Sequence, residues 1–212
     1  MDNKVKEDRK SLTRSKSVLN LALEDTFDLE DLENRKLFIN GEIDEFIIES
    51  IVYWIMRYNS EDKGKPIEDR LPIKLYINSP GGSFSDGYGL IDAILTSKTP
   101  VWTINLATCA SMGFLIFIAG NKRYSMPHAE FLMHDGSTGY FGSSAKVADR
   151  VTFEKDELES MNKQYVVSKT QISEQLYDEK YRIEWYFLPS AAKEVGVVDY
   201  IVGQDCDMDE II

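Results

Sequence analysis

Two apolar strands that end on small, tightly turning residues set the firmest limit on what this chain can fold into. Ile73 to Asn78 has the character of a buried strand, and Ser79-Pro80-Gly81-Gly82 breaks it at once. A helical pattern follows, with Tyr88, Ile91, Ile94 and Leu95 on one side. Pro100 opens a second apolar strand through Leu106. That strand leads through Ala107-Thr-Cys-Ala-Ser-Met-Gly113 into the apolar run Met112 to Ala119, a helix without a polar side and therefore a buried one. Strand and helix in alternation predict a mostly parallel sheet flanked by helices, an α/β fold.

The remaining periodicities fit that frame. Lys36 to Asn40 predicts a short strand, ended by Gly41. Ile47, Ile51, Trp54, Ile55 and Tyr58 recur at helical spacing behind Asp44, a suitable N-cap. Residues 59–70 read as a loop, and Lys122 to Met126 and Phe131 to Met133 as two further strands. Val147, Val151, Leu158, Met161 and Tyr165 mark a long amphipathic helix whose exposed charges predict that it projects from the body. Three regions are expected: a flexible arm over residues 1–34, one domain over 35–203, and an acidic tail over 204–212.

Charge and composition narrow the function. The formal net charge of −12 opposes nucleic acid or an anionic membrane as the main partner, because both require a basic surface. The run 112–119 is far shorter than the roughly 20 residues needed to cross a bilayer. The charged N-terminal residues lack the apolar core of a secretory signal, and a cytoplasmic setting is expected. Cys109 and Cys206, with His128 and His134, have no metal-ligand spacing, so no metal is expected.

Amide hydrolysis requires a nucleophile, a base and donors for the developing oxyanion. Ser111 stands between a buried strand and a buried helix, where it either caps the helix or presents an activated hydroxyl. His134 ends the Phe-Leu-Met strand, a position that suits a general base and equally a structural histidine; His128 follows Pro127 in a loop. Gly81-Gly82 is either a tight turn or a pair that aims N–H groups at a substrate oxygen. No Gly-Lys-Ser/Thr or dinucleotide fingerprint accompanies it.

In combination these segments are more specific. Leu75-Tyr-Ile-Asn-Ser-Pro-Gly-Gly82, Ala110-Ser-Met-Gly113, Leu132-Met-His-Asp135 and Ala191-Ala-Lys-Glu-Val-Gly-Val-Val-Asp199 resemble the Clp peptidase family in identity, order and approximate spacing, over roughly residues 36–202. The resemblance implies the ClpP/crotonase-like fold of stacked βαβ units with a projecting long helix. It implies an ATP-independent serine endopeptidase subunit, with Ser111 as nucleophile, His134 as base and the N–H groups of Gly82 and Met112 as oxyanion hole. No cofactor is implied. The family's third residue is an aspartate near the end of the following helix; a one-residue insertion within 175–184 makes Asp178 the expected acid, with Glu179 the alternative. The implied substrate is a peptide or unfolded polypeptide. The implied assembly is a homo-oligomer of stacked heptameric rings interlocked by the long helix and fed by an ATPase unfoldase. Two other readings follow from the unusual arm and the altered acid region: a phage-type capsid maturation protease, and a catalytically silent subunit of a mixed ring. The crotonase hydratases share glycine-rich oxyanion loops but have no need of this serine–histidine pair.

Overall fold

A computed structural model describes residues 29–136 and 139–212, so most of the expected arm lies outside the described residues. The chain divides into two units, Met1–Lys36 and Leu37–Ile212. Within the described part of the first, residues 29–33 form a helical turn and Asn34 N–H donates to the Glu30 carbonyl at 3.0 Å.

The larger unit is built on a seven-stranded sheet in the order β1-β2-β3-β4-β7, with β5 joined to β3 and β6 to β5. The strands are β1 (Lys36–Asn40), β2 (Ile73–Ser79), β3 (Val101–Ala110), β4 (Lys122–Ser125), β5 (Glu130–Met133), β6 (Trp185–Phe187) and β7 (Tyr200–Ile201). The β2–β3, β3–β4, β3–β5 and β4–β7 pairings are all parallel, as strand–helix alternation predicts. The strand β6 runs antiparallel to β5.

The strand β3 serves two neighbours in turn. Its first half, Trp102 to Asn105, pairs with β4, and its end, Thr108 to Ala110, pairs with β5. The handover occurs because β4 stops at Ser125 and Pro127 cannot donate to a ladder. Asn105 fastens the junction by donating from Nδ2 to the Glu130 carbonyl at 2.9 Å. The ends of β3 and β5 therefore lie side by side, as open parallel sheets arrange their functional edge.

Helices cover the sheet as their patterns require. Phe46 N–H donates to the Asp44 carboxylate at 3.0 Å, which starts the segment that becomes a π-helical turn (Ile48–Val52) and then α1 (Tyr53–Glu61). The helix α2 (Phe84–Thr96) starts on the Ser83 hydroxyl and buries Leu90, Ile91 and Ile94. Every residue of α3 (Met112–Phe117) is buried, matching its apolar sequence. The long helix is α4 (Ser144–Phe153), a π-helical turn (Glu154–Leu158) and α5 (Glu159–Lys169) in succession, and no residue from Ser144 to Leu158 is buried. Two short helices, α6 (Glu174–Lys180) and α7 (Pro189–Glu194), flank β6.

Residues 204–212 are packed rather than trailing. Val202 and Cys206 form a bridge, Met208–Glu210 is a 3₁₀ turn, and Ile211 is 1% exposed. Burying that one isoleucine stabilises the segment by about 2–3 kcal/mol. Among the described residues no helix is long and apolar enough to cross a membrane.

Candidate active site

Ser111 stands at the abrupt joint between β3 and α3, with φ 53° and ψ −118°. A positive φ is costly for a residue carrying a Cβ, about 1–3 kcal/mol, and is held only where surrounding contacts leave no alternative. Two such contacts are hydrogen bonds. Ser111 N–H donates to the Leu132 carbonyl of β5 at 2.9 Å, and the Ser111 carbonyl accepts from Phe114 N–H at 3.1 Å. The hydroxyl is released from helix capping, since no side-chain cap bond forms there.

The glycine loop after β2 is built against that joint. A Cβ on Gly81 would lie 2.7 Å from the Ser111 Cβ, and a Cβ on Gly82 would lie 2.2 Å from the Ile43 carbonyl oxygen. Ser79 Oγ accepts from Gly81 N–H at 3.1 Å, while Ile43 N–H donates to the Gly81 carbonyl at 2.8 Å. The Gly82 and Met112 N–H groups have no backbone or side-chain acceptor among the described residues. Gly82→Ala should lower the peptide-hydrolysis kcat by about 10²–10³-fold, because the loop must move off Ile43 and carry its donor away. Hydrolysis at an unchanged rate would remove Gly82 from the site.

One cleft of about 300 Å³ gathers Gly82, Ser111, Met112 and His134 in its wall. Phe84, Phe114, Leu115 and Leu158 give it an apolar side, and Asp135, Glu154, Glu159, Asn162 and Tyr181 a polar one. His134 reaches it because Ala110 and Leu132 are register partners, which sets the end of β5 beside the β3–α3 joint. Asn162 is held beneath by Tyr88, whose hydroxyl donates to Oδ1 at 3.0 Å. Arg182 spans the rim between Asp135 (3.8 Å) and Glu159 (3.5 Å). Burial in this wall pushes the Tyr181 hydroxyl up to about 12. His128 is exposed and is not among the cleft residues.

The structure does not bring Asp178 or Glu179 to that wall. Tyr177 takes the inward position on α6, so the next two residues point away. Asp178 is paired with Lys163 at 2.8 Å, and its side chain is 62% exposed; Glu179 accepts from Gln175 Nε2 at 2.9 Å. The Asp178 hydrogen bond also raises the Lys163 ammonium above its usual pKa.

A further carboxylate follows the same helix. The strands β5 and β6 pair as Phe131–Phe187, Leu132–Tyr186 and Met133–Trp185, and His134 and Glu184 are the residues next beyond the last pair on each strand. Glu184 is exposed, is not among the cleft residues, and accepts from the Tyr186 hydroxyl at 2.9 Å. The sequence signal that could have found it is the aromatic triplet Trp185-Tyr-Phe187, a strand pattern directly after the acid.

Cys109, two residues before Ser111, is fully buried on β3, and burial pushes its thiol well up, away from the reactive thiolate. Cys109→Ala should keep cleavage within about twofold, at a cost in stability of about 1 kcal/mol. Loss of cleavage in a variant with a native circular dichroism spectrum would point to a thiol mechanism.

A parallel sheet, a strained serine at its edge and a histidine facing the same cleft define the class, a serine-type peptidase. The family model described as Clp protease matches residues 25–205, and the chain belongs to that family, as a Clp-type serine protease subunit. It is similar to the ATP-dependent Clp protease proteolytic subunit 1 of Frankia casuarinae, 34% identical over 175 residues, 82% of this chain and 79% of that one. Subunit 1 of Corynebacterium jeikeium is 32% identical, covering 81% of this chain and 88% of its own length. Subunit 2 of Corynebacterium efficiens is 33% identical, covering 81% and 83%.

Proposed function

We propose that this chain cleaves peptides and unfolded polypeptides by acyl transfer through Ser111, with His134 as general base and Glu184 as the carboxylate that orients it. The observation that carries this reading is the convergence of Ser111, His134 and the unpartnered N–H groups of Gly82 and Met112 on one cleft. The Ser111 hydroxyl attacks the peptide carbonyl as His134 takes its proton. The carbonyl oxygen, now negative, is met by the Gly82 and Met112 N–H groups; each such donor contributes about 2.7–4 kcal/mol in comparable sites. His134 then protonates the leaving amine, and water, deprotonated by the same imidazole, releases the acyl group from Ser111. For Glu184 the support is that the β5–β6 ladder ends at Met133–Trp185, one residue short of His134 and of Glu184, whereas Asp178 is engaged by Lys163.

The relatives are called ATP-dependent, yet hydrolysis through Ser111 consumes no nucleotide. In this reading ATP is spent by a separate unfoldase that delivers extended chain, and the subunit works as a homo-oligomer of stacked rings. Support for assembly is the surface a single chain leaves uncovered. Val151 and Phe153 of the long helix and Phe46, Tyr53 and Met56 near α1 are all at least 46% exposed. Sedimentation of the purified protein as a monomer at micromolar concentration would contradict the ring. Treatment with a fluorophosphonate probe followed by peptide mass spectrometry tests the chemistry. Modification at Ser111 that is lost in His134→Ala is expected; absence of modification in folded, assembled protein would make this a silent subunit.

A further inference from the structure

The cleft holds one buried polar side chain that acyl transfer does not use. Its wall comes from two sides: the sheet edge supplies Ser111, Met112 and His134, and the long helix supplies Leu158, Glu159 and Asn162. Asn162 is 8% exposed, in a wall that also contains Phe84, Phe114 and Leu115. An amide in such surroundings is unfavourable unless its hydrogen bonds are made.

Two helices hold this amide in one orientation. Tyr88 of α2 donates its hydroxyl proton to Oδ1 at 3.0 Å, and Nδ2 donates to the Tyr177 hydroxyl of α6 at 3.4 Å. Both tyrosines are fixed in turn. Tyr88 lies against Phe84 at 4.7 Å and Tyr165 at 6.0 Å, and Tyr177 stacks on Tyr181 at 4.9 Å. Tyr165 donates its hydroxyl proton to the Leu115 carbonyl at 3.0 Å, which ties the cluster to the helix that starts beside Ser111. An asparagine amide carries two N–H donors. Tyr177 engages one, and the other has no acceptor among the described residues. A donor preorganised in this way and left unused is a feature of a binding site.

We propose that Asn162 is a specificity-determining residue, whose free N–H receives the tip of the substrate side chain just before the scissile bond, and that this side chain is glutamine. The assignment rests on Ser111 as nucleophile. The methylene stem of glutamine lies along the apolar wall, its carbonyl accepts from Asn162, and its own N–H groups face the Glu159 carboxylate in the same wall. Leucine fits the stem but leaves the Asn162 N–H unpaired, which is how a site built for a hydrogen bond rejects an apolar side chain. Glutamate has the length of glutamine but adds a negative charge to a wall that holds Asp135, Glu154 and Glu159. Two arginines, Arg150 and Arg182, pair with those three carboxylates, so the wall stays negative.

Fluorogenic peptide coumarylamides that differ only in the last residue fix the scissile bond and test the assignment. With the full chain, kcat/KM for the glutamine substrate should exceed that for leucine about tenfold, and that for glutamate by more. Asn162→Leu, which removes the donor at similar volume, should lower the glutamine-to-leucine ratio at least about tenfold. A residue that only fastened the helices would change both rates together and leave the ratio as it was. Tyr88→Phe, which frees the amide to turn, should lower the ratio about threefold. Leucine cleaved as fast as glutamine by the unaltered chain overturns the proposal, whether or not either variant folds. So does an unchanged ratio in Asn162→Leu with a native circular dichroism spectrum. Fluorophosphonate labelling separates the two levels: labelled Ser111 without a glutamine preference overturns the subsite alone, whereas unlabelled Ser111 in folded, assembled protein overturns the nucleophile and the subsite together.

Discussion

Ser111→Ala is expected to reduce peptide cleavage by about 10⁴–10⁶-fold and to abolish fluorophosphonate labelling, with folding and assembly unchanged. The size of the effect follows from the chemistry, because without the hydroxyl no acyl-enzyme forms and only binding and the oxyanion donors remain. The lack of a structural effect follows from the backbone. Alanine keeps the Cβ that serine already carries at φ 53°, and the bonds fixing the turn run through the Ser111 N–H and carbonyl, which the substitution leaves in place. Hydrolysis of a fluorogenic peptide and sedimentation of the same sample give both readouts. Residual cleavage at a tenth of the wild-type rate would exclude Ser111 as the nucleophile.

The second large effect separates three carboxylates. Glu184→Gln should lower kcat/KM by about 10²–10⁴-fold, since an amide no longer stabilises the imidazolium and favours the wrong tautomer of His134. Asp178→Asn and Glu179→Gln should each stay within about twofold, because the first loses a surface ion pair with Lys163 and the second a surface contact with Gln175. An equal, mild loss in all three variants would mean that a serine–histidine dyad acts alone.

The comparison of these three acids shows where reading the sequence stops. Ser111 and the glycine loop are legible because each sits at a break that local chemistry enforces. Only residues without bulk, or with a backbone held under strain, can end a buried strand and turn at once into a buried helix. His134 is legible as the residue that closes an apolar strand. Asp178 and Glu179 drew attention because they lie near the end of a helix, but helix periodicity does not say which face meets the sheet. Tyr177 decides that by taking the inward position on α6.

The sequence by itself determined the alternation of strands and helices, the strand-ending turns and the buried character of α3. Each of these is written in neighbouring residues, through side-chain periodicity or turn chemistry. Tertiary structure alone decided that β3 passes from β4 to β5, that β6 pairs antiparallel to β5, and that Ile211 is buried against the sheet. These are pairings between segments far apart along the chain. Their register is set by which faces can be buried together, a property that no single stretch of sequence contains.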